Sequence, residues 1–231
     1  MKKEYYKDRD QLFVAVDDII FGFDDGELCV LLVKRNFEPE VGKWSLIGGF
    51  VRVNESLDAA ADRVLRSLTG LTDIQTKQIY AFGDVYRDTA DRTISVVYYS
   101  LVKLKEIDKI HIEENAASWH SITSLPELIF DHQQMINMAL RDLQVQCRMS
   151  PVGIDLLPDR FTLPELQKLY EAIYQKNIDK RNFRKRILAT GLFVRLEEKD
   201  KESSKRGAFY YQFDWESYYK DAANKYLLGS I

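Results

Sequence analysis

The segment Asp179 to Ile187 reads DKRNFRKRI, and five of the seven residues from Lys180 to Arg186 are basic. Wound into a helix, Phe183, Ile187 and Thr190 share one side, while Arg181, Lys185 and Leu188 lie opposite, flanked by Asn182 and Arg184. Such a helix has an apolar side to anchor it and a cationic side to present. Lys and Arg neutralise phosphates, and Arg or Asn can pair in bidentate fashion with guanine or adenine edges in the major groove. Lys180, Arg181, Asn182, Arg184, Lys185 and Arg186 are therefore candidate DNA-binding residues, with Asn182 the candidate base reader. Downstream, the polar stretch EEKDKESSKRG supplies Lys199, Lys201, Lys205 and Arg206, and the last two complete the set. Double-stranded operator DNA is the partner this chemistry fits, and structured RNA is the open alternative.

The elements around that segment give it a scaffold. Thr162-Leu-Pro-Glu165 is a capping box opening a helix whose apolar residues Leu166, Leu169, Tyr170 and Ile173 recur at helical spacing. The basic helix begins near Asp179 and runs to about Thr190, where Gly191 stops it. A strand from Phe193 to Leu196, the basic loop and a second strand, AFYYQF, follow. Helix, basic helix and two strands around a basic loop is the order of a winged helix-turn-helix, with the loop as wing. The aromatics Tyr210, Tyr211, Phe213, Trp215, Tyr218 and Tyr219 are read as core and dimer packing. Between Met149 and Pro158 the chain has two prolines and a glycine and no amphipathic period, which sets a boundary between residues 1–150 and 151–231.

Charge follows the same division. The net −3 of the whole chain splits into +3 from Pro151 onward and −6 before it, an acidic body joined to a segment suited to a polyanion. No apolar run approaches the roughly 20 residues that cross a bilayer. The N-terminus MKKEYYKDRD lacks a signal peptide's apolar stretch, and Cys29 and Cys147 are too few for a disulfide framework or a cysteine-based zinc cluster. A cytoplasmic protein without membrane contact is expected.

In the acidic part, Leu12 to Phe23 and Leu28 to Val33 are apolar runs joined by Asp24-Asp25-Gly26, a hairpin pattern. WSLIGGF from Trp44 precedes a helix from Ser56, a suitable N-cap, to Thr69, closed by Gly70. Strands are expected at Gln78 to Phe82 and Thr93 to Leu104, and a helix at Asp131 to Cys147. Two long helices among mixed strands indicate an α+β or α/β domain.

The stretch Gly49 to Leu71 resembles the Nudix box, G-x5-E-x7-R-E-U-x-E-E-x-G-U with U bulky and apolar: Gly49, Glu55, Arg63, Leu65, Gly70 and Leu71 fall at its spacing. The preceding Trp44-Ser-Leu-Ile-Gly-Gly resembles the usual W-x-L-P-G-G, with Ile47 for proline. Nudix hydrolases cleave a diphosphate with Mg²⁺ held mainly by the box glutamates, and those positions are here Val64, Ser67 and Leu68. A hard cation needs several oxygen ligands, which Val64 and Leu68 cannot give. The resemblance thus implies a Nudix-like scaffold without a catalytic metal site, with no cofactor and no hydrolase activity. Diphosphate hydrolysis through carboxylates outside the box, such as Asp58 or Asp62, is the competing reading.

Both halves together resemble the Nudix-related transcriptional regulators, in which a Nudix-like effector domain is fused to a C-terminal winged helix. Carrying this likeness are DHQQMINMAL from Asp131, FTLPELQKLYEAIYQKNIDKRNFRKRI from Phe161 and RGAFYYQF from Arg206. It implies an α+β chain, a Nudix-like α/β/α sandwich with a mixed sheet followed by a small winged helix, acting as a homodimer. Members sense ADP-ribose, in regulators of NAD metabolism, or sugars such as arabinose. Where ADP-ribose pyrophosphatase-like relatives read R-D-P-R-G-R-V-x-S, this chain has Thr89 and Ala90 between Arg87-Asp88 and Arg92. Losing an arginine weakens a phosphate site, so a small sugar or sugar nucleotide, arabinose-like before ADP-ribose, is the expected effector. The position of the Nudix cleft implies Trp44, Glu55, Arg87, Asp88 and Arg92 as its contacts.

Overall fold

A computed structural model describes residues 8–72, 74–104, 116–200 and 207–220. Strands β1 (Phe13–Asp24) and β2 (Glu27–Lys34) form the expected hairpin. Its turn residues Asp25 and Gly26 have φ of 42° and 88°, the two positive values a tight I′-type turn demands. β1 is the centre of a mixed sheet. It runs antiparallel to β2 and to β4 (Ile47–Phe50), and parallel to β6 (Thr93–Val102). Outside these lie β3 (Trp44–Ser45) and β7 (Ala117–Ser121) on β2, and β5 (Thr76–Phe82) on β6.

Helices cover both faces, so β1 is buried continuously from Val16 to Gly22 instead of alternating. On one face α1 (Leu57–Thr69) sets Ala60, Ala61, Val64 and Leu65 against Val16, Ile20, Leu31, Ile47 and Tyr98. On the other, α2 (His132–Met149) sets Met135, Ile136, Ala139 and Leu143 against Ile19, Phe21, Val30 and Val97. The caps of α1 are as the sequence indicates. The Ser56 hydroxyl accepts from the Ala59 N–H at 3.1 Å, and Gly70 closes the helix at φ 70°. β7 was not expected from the sequence: ASWHS is half-buried at every residue and carries no alternation to read.

A 3₁₀ turn (Val152–Leu156) leads into β8 (Phe161–Thr162), α3 (Leu163–Tyr174), α4 (Lys180–Ala189), β9 (Phe193–Asp200), β10 (Ala208–Phe213) and a short α5 (Trp215–Lys220). The capping box is made as read: Thr162 N–H donates to Glu165 Oε2 at 2.7 Å, and Glu165 N–H to Thr162 Oγ1 at 3.3 Å. Strands β8, β10 and β9 form the second sheet. β9 is longer than expected and takes in Lys199, because pairing of Lys199 with Phe209 and of Asp200 with Ala208 carries the ladder past the polar EEK run. Tyr211 and Phe213 are core residues as expected, whereas Trp215 and Tyr219 are exposed on α5. The winged-helix core, with Leu166, Ile173, Phe183, Ile187 and Phe213, is continuous with the α2 face of the first sheet through Leu143, Cys147, Ile154 and Leu156. Within the described residues, no helix is long and apolar enough to cross a membrane.

Candidate functional site

Two glycines open the first site. A Cβ at Gly48 would stand 2.2 Å from Asp17 Oδ1, and one at Gly49 would stand 3.0 Å from Val64 Cγ2. Strand β4 can therefore lie close to β1 and α1 only without side chains there. Beside them lies a cavity of about 440 Å³, a size suited to a small ligand, bordered by Asp17, Lys34, Arg35, Phe37, Arg87, Asp88, Phe130 and His132 among others.

Its base is a buried charged network. Arg87 Nε and Nη2 donate to the two Asp131 oxygens at 2.9 and 2.7 Å, and Arg87 Nη2 lies 4.0 Å from Asp17 Oδ2. The Ser95 hydroxyl donates to Asp17 as well. His132 Nδ1 accepts the Leu46 N–H at 3.0 Å, and burial pushes the imidazole pKa down, keeping the ring neutral. At the rim, the Arg35 guanidinium covers the Phe37 ring at 3.8 Å and lies 5.8 Å from the Phe130 centroid.

Of the five residues implied for the pocket, the structure brings Arg87 and Asp88 to it and places three elsewhere. Trp44 meets His120 edge to face at 4.6 Å, with Lys34 over its ring. Glu55 accepts from Arg63 Nε at 2.9 Å and Nη2 at 2.6 Å and from the Arg52 N–H at 2.8 Å, so it ties the loop before α1 to that helix. These bonds, the Arg63 pair foremost, pull its carboxyl pKa down to about 2. Arg92 donates to the Gly83 and Asp84 carbonyls at 2.9 and 3.1 Å. Asp17, Arg35, Asp131 and His132 were missed. The signal for Asp17 was there: two aspartates stand inside the apolar run LFVAVDDIIFGF.

The Nudix-box positions do not fit a Mg²⁺ site. Val64 is core, the Ser67 hydroxyl donates to the Val64 carbonyl at 2.9 Å, and Leu68 borders the cavity with an apolar side chain. Asp58 accepts the Tyr98 hydroxyl at 2.7 Å. Among the described residues, no three His, Cys, Asp or Glu side chains are grouped to hold a metal ion.

The second site is the outer face of α4. Asp179 caps it, accepting the Asn182 N–H at 2.8 Å, while Phe183 and Ile187 are buried as anchors. Lys180, Arg181, Asn182, Arg184, Lys185 and Arg186 are all exposed, as the helical wheel requires of Arg181 and Lys185. Nearby on the wing strands, Arg195 and Lys199 lie 4.6 and 4.4 Å from the Phe209 ring centroid. Lys201, Lys205 and Arg206 fall outside the described residues.

Residues 12–139 match the model of the NUDIX domain, and residues 153–213 match that of the NrtR DNA-binding winged helix domain. The chain is 32% identical over 209 residues to the ADPR responsive transcriptional repressor NtrR of Acinetobacter baylyi, covering 89% of this chain and 83% of that protein. It is similar to the crystal structure of Shewanella oneidensis NrtR complexed with a 27mer DNA, at TM-score 0.75 and 31% identity over 87% of this chain and 93% of that one. The NUDIX domain of Shewanella oneidensis NrtR complexed with ADP ribose is also similar, at TM-score 0.51 and 27% identity over 62% of this chain and 94% of that one. None of these relatives supports the arabinose-type effector expected from the sequence.

Proposed function

Because the chain belongs to the NrtR-like family, a NUDIX domain followed by an NrtR DNA-binding winged helix, we propose that ADP-ribose is the effector of this ligand-responsive DNA-binding regulator. The observation that carries the reading is the cavity with Lys34, Arg35 and Arg87 on its border in a chain whose α4 exposes a cationic face. A diphosphate offers several oxygens that guanidinium groups can take in bidentate fashion. Lys34 and Arg35 are the candidate partners for it, Asp88 and Asn36 for ribose hydroxyls, and Phe130 for the adenine face. Ala90 had argued against a phosphate, but the loop that carries it is tied down by Arg92 and Arg87, and the rim cation comes from Arg35 instead.

The same reading makes the Nudix domain a sensor without diphosphatase activity, supported by Val64, Ser67 and Leu68 in place of the glutamates. It also includes a homodimer, since one recognition helix reads few base pairs and two add their contacts at a fixed half-site spacing. Calorimetry with ADP-ribose and with arabinose tests the effector: micromolar-range binding of ADP-ribose with none of arabinose is expected, and the reverse refutes it. Turnover of ADP-ribose in Mg²⁺ at about 1 per second or faster would instead favour the hydrolase.

A further inference from the structure

Arg87 stands at the meeting of the cavity and α2. Its side chain is 4% exposed, borders the cavity and is held in bidentate fashion by Asp131. Asp131 occupies the N-cap place of α2, yet its carboxylate makes no capping hydrogen bond there. An aspartate is favoured at that place because its oxygens accept from the unpaired N–H groups of the first helical turn. Asp131 therefore has two alternative partners, Arg87 and its own helix. The next residue is fastened to the same site, with Leu46 N–H on His132 Nδ1 at 3.0 Å and His132 Nε2 3.9 Å from Asp17 Oδ1.

At its far end α2 is seated on the DNA-binding half. Gln144 Nε2 donates to the Ile173 carbonyl of α3 at 2.8 Å, and Arg148 lies 5.7 Å from the Tyr174 ring centroid. Cys147 is fully buried, and a Cβ at Gly153 would stand 3.0 Å from its Sγ and 3.1 Å from Ile173 Cδ1. Packing this close has little slack, so a displacement of α2 is passed on to α3.

We propose that the Arg87–Asp131 pair is the latch through which an anionic effector acts on DNA binding. A phosphate group of the ligand competes for the Arg87 guanidinium, Asp131 turns to cap α2, and α2 carries the shift to α3 through Gln144 and Cys147. Two discrete arrangements of one carboxylate supply the bistable element that coupling requires. The identity of the trigger rests on the ADP-ribose reading, whereas the latch belongs to the chain.

The test uses the full-length protein and a duplex selected with it from a random pool, titrated by fluorescence anisotropy with and without ADP-ribose. Asp131→Asn weakens the hold on Arg87 while asparagine remains a good N-cap. Without ligand, this variant is expected to shift operator affinity about fivefold or more in the direction ADP-ribose moves the wild type, and to respond no further. Hydrogen exchange over residues 144–157 of the free protein should change with it. Gln144→Ala leaves the cavity untouched, so it should still be stabilised by ADP-ribose in a thermal melt while the effect on operator affinity shrinks. Wild-type operator affinity and full response in Asp131→Asn would overturn the latch. Should that variant fail to fold, an undiminished response in Gln144→Ala overturns it equally. If ADP-ribose leaves the wild type unaffected, the effector reading fails, and the latch stands or falls on the ligand-free shift and the exchange data.

Discussion

The cavity and the outer face of α4 both owe their chemistry to charged side chains, but they hold those charges in opposite ways. Around the cavity base, Arg87 and Asp17 are buried, Asp131 is partly buried, and Arg87 is paired with both carboxylates. On α4 the side chains of Lys180, Arg181, Arg184 and Lys185 are exposed above an apolar anchor. A buried pair is insulated from salt and cannot lose one member without leaving an uncompensated charge. An exposed charge contributes little to the fold and remains available to a partner. Charge inside the domain thus acts on the protein itself, and charge on the face of α4 is suited to an outside polyanion.

The largest expected effect tests the buried half of that contrast. Arg87→Ala leaves buried Asp17 without its cation, and Asp131 with only its own helix as a partner, and should lower stability by about 3 to 5 kcal/mol. A chemical melt reads this directly, and a loss under about 1 kcal/mol would mean that water reaches the network freely.

Next comes a comparison within β1. Asp17 has Ser95, Arg87 and His132 around it, while the adjacent Asp18 points to the other face, fully buried, with the Ser100 hydroxyl beside it and no well-formed hydrogen bond. Burial, only partly offset by Ser100 and helped by Asp62 and Asp17, raises the Asp18 carboxyl from an ordinary 3.8 to about 7. Because the folded-state value is the higher one, the protein is best off at low pH in this respect. It loses that stability as pH rises from about 4 through about 7, where the unfolded chain ionises freely and the folded one does not. Asp18→Asn should therefore raise stability by about 4 kcal/mol at pH 8 and by little at pH 4. Equal melting-temperature gains at both pH values would contradict a raised carboxyl.

On the exposed side, the Arg181→Ala, Lys185→Ala double variant should weaken operator binding about tenfold or more and reduce the salt slope by about 2, with the melting temperature unchanged. Unaltered operator affinity would reject α4 as the recognition helix. The narrowest effect belongs to Asn182→Ala, which should cost about 1 kcal/mol of discrimination at one base pair and leave nonspecific binding as it was. A uniform loss over all sequences would make Asn182 a backbone contact instead.

The amino-acid sequence determined what depends on neighbours a few residues away. The Asp25-Gly26 turn, the Ser56 and Thr162 caps, the Gly70 stop and the two faces of α4 are all set by local geometry, so spacing alone sorts Phe183 and Ile187 inward and Arg181 and Lys185 outward. Tertiary structure decided the cavity. Asp17, Arg35, Arg87 and His132 come from four separate stretches of chain and meet only where β1, β2, the loop before β6 and the start of α2 converge. No periodicity records that convergence. A box motif fixes where Glu55 and Arg63 lie along the chain, but only packing shows them gripping each other instead of a ligand, and only packing hands Arg92 to backbone carbonyls. A helix face follows from the angle between successive residues, whereas a pocket follows from which distant segments the hydrophobic core pulls together.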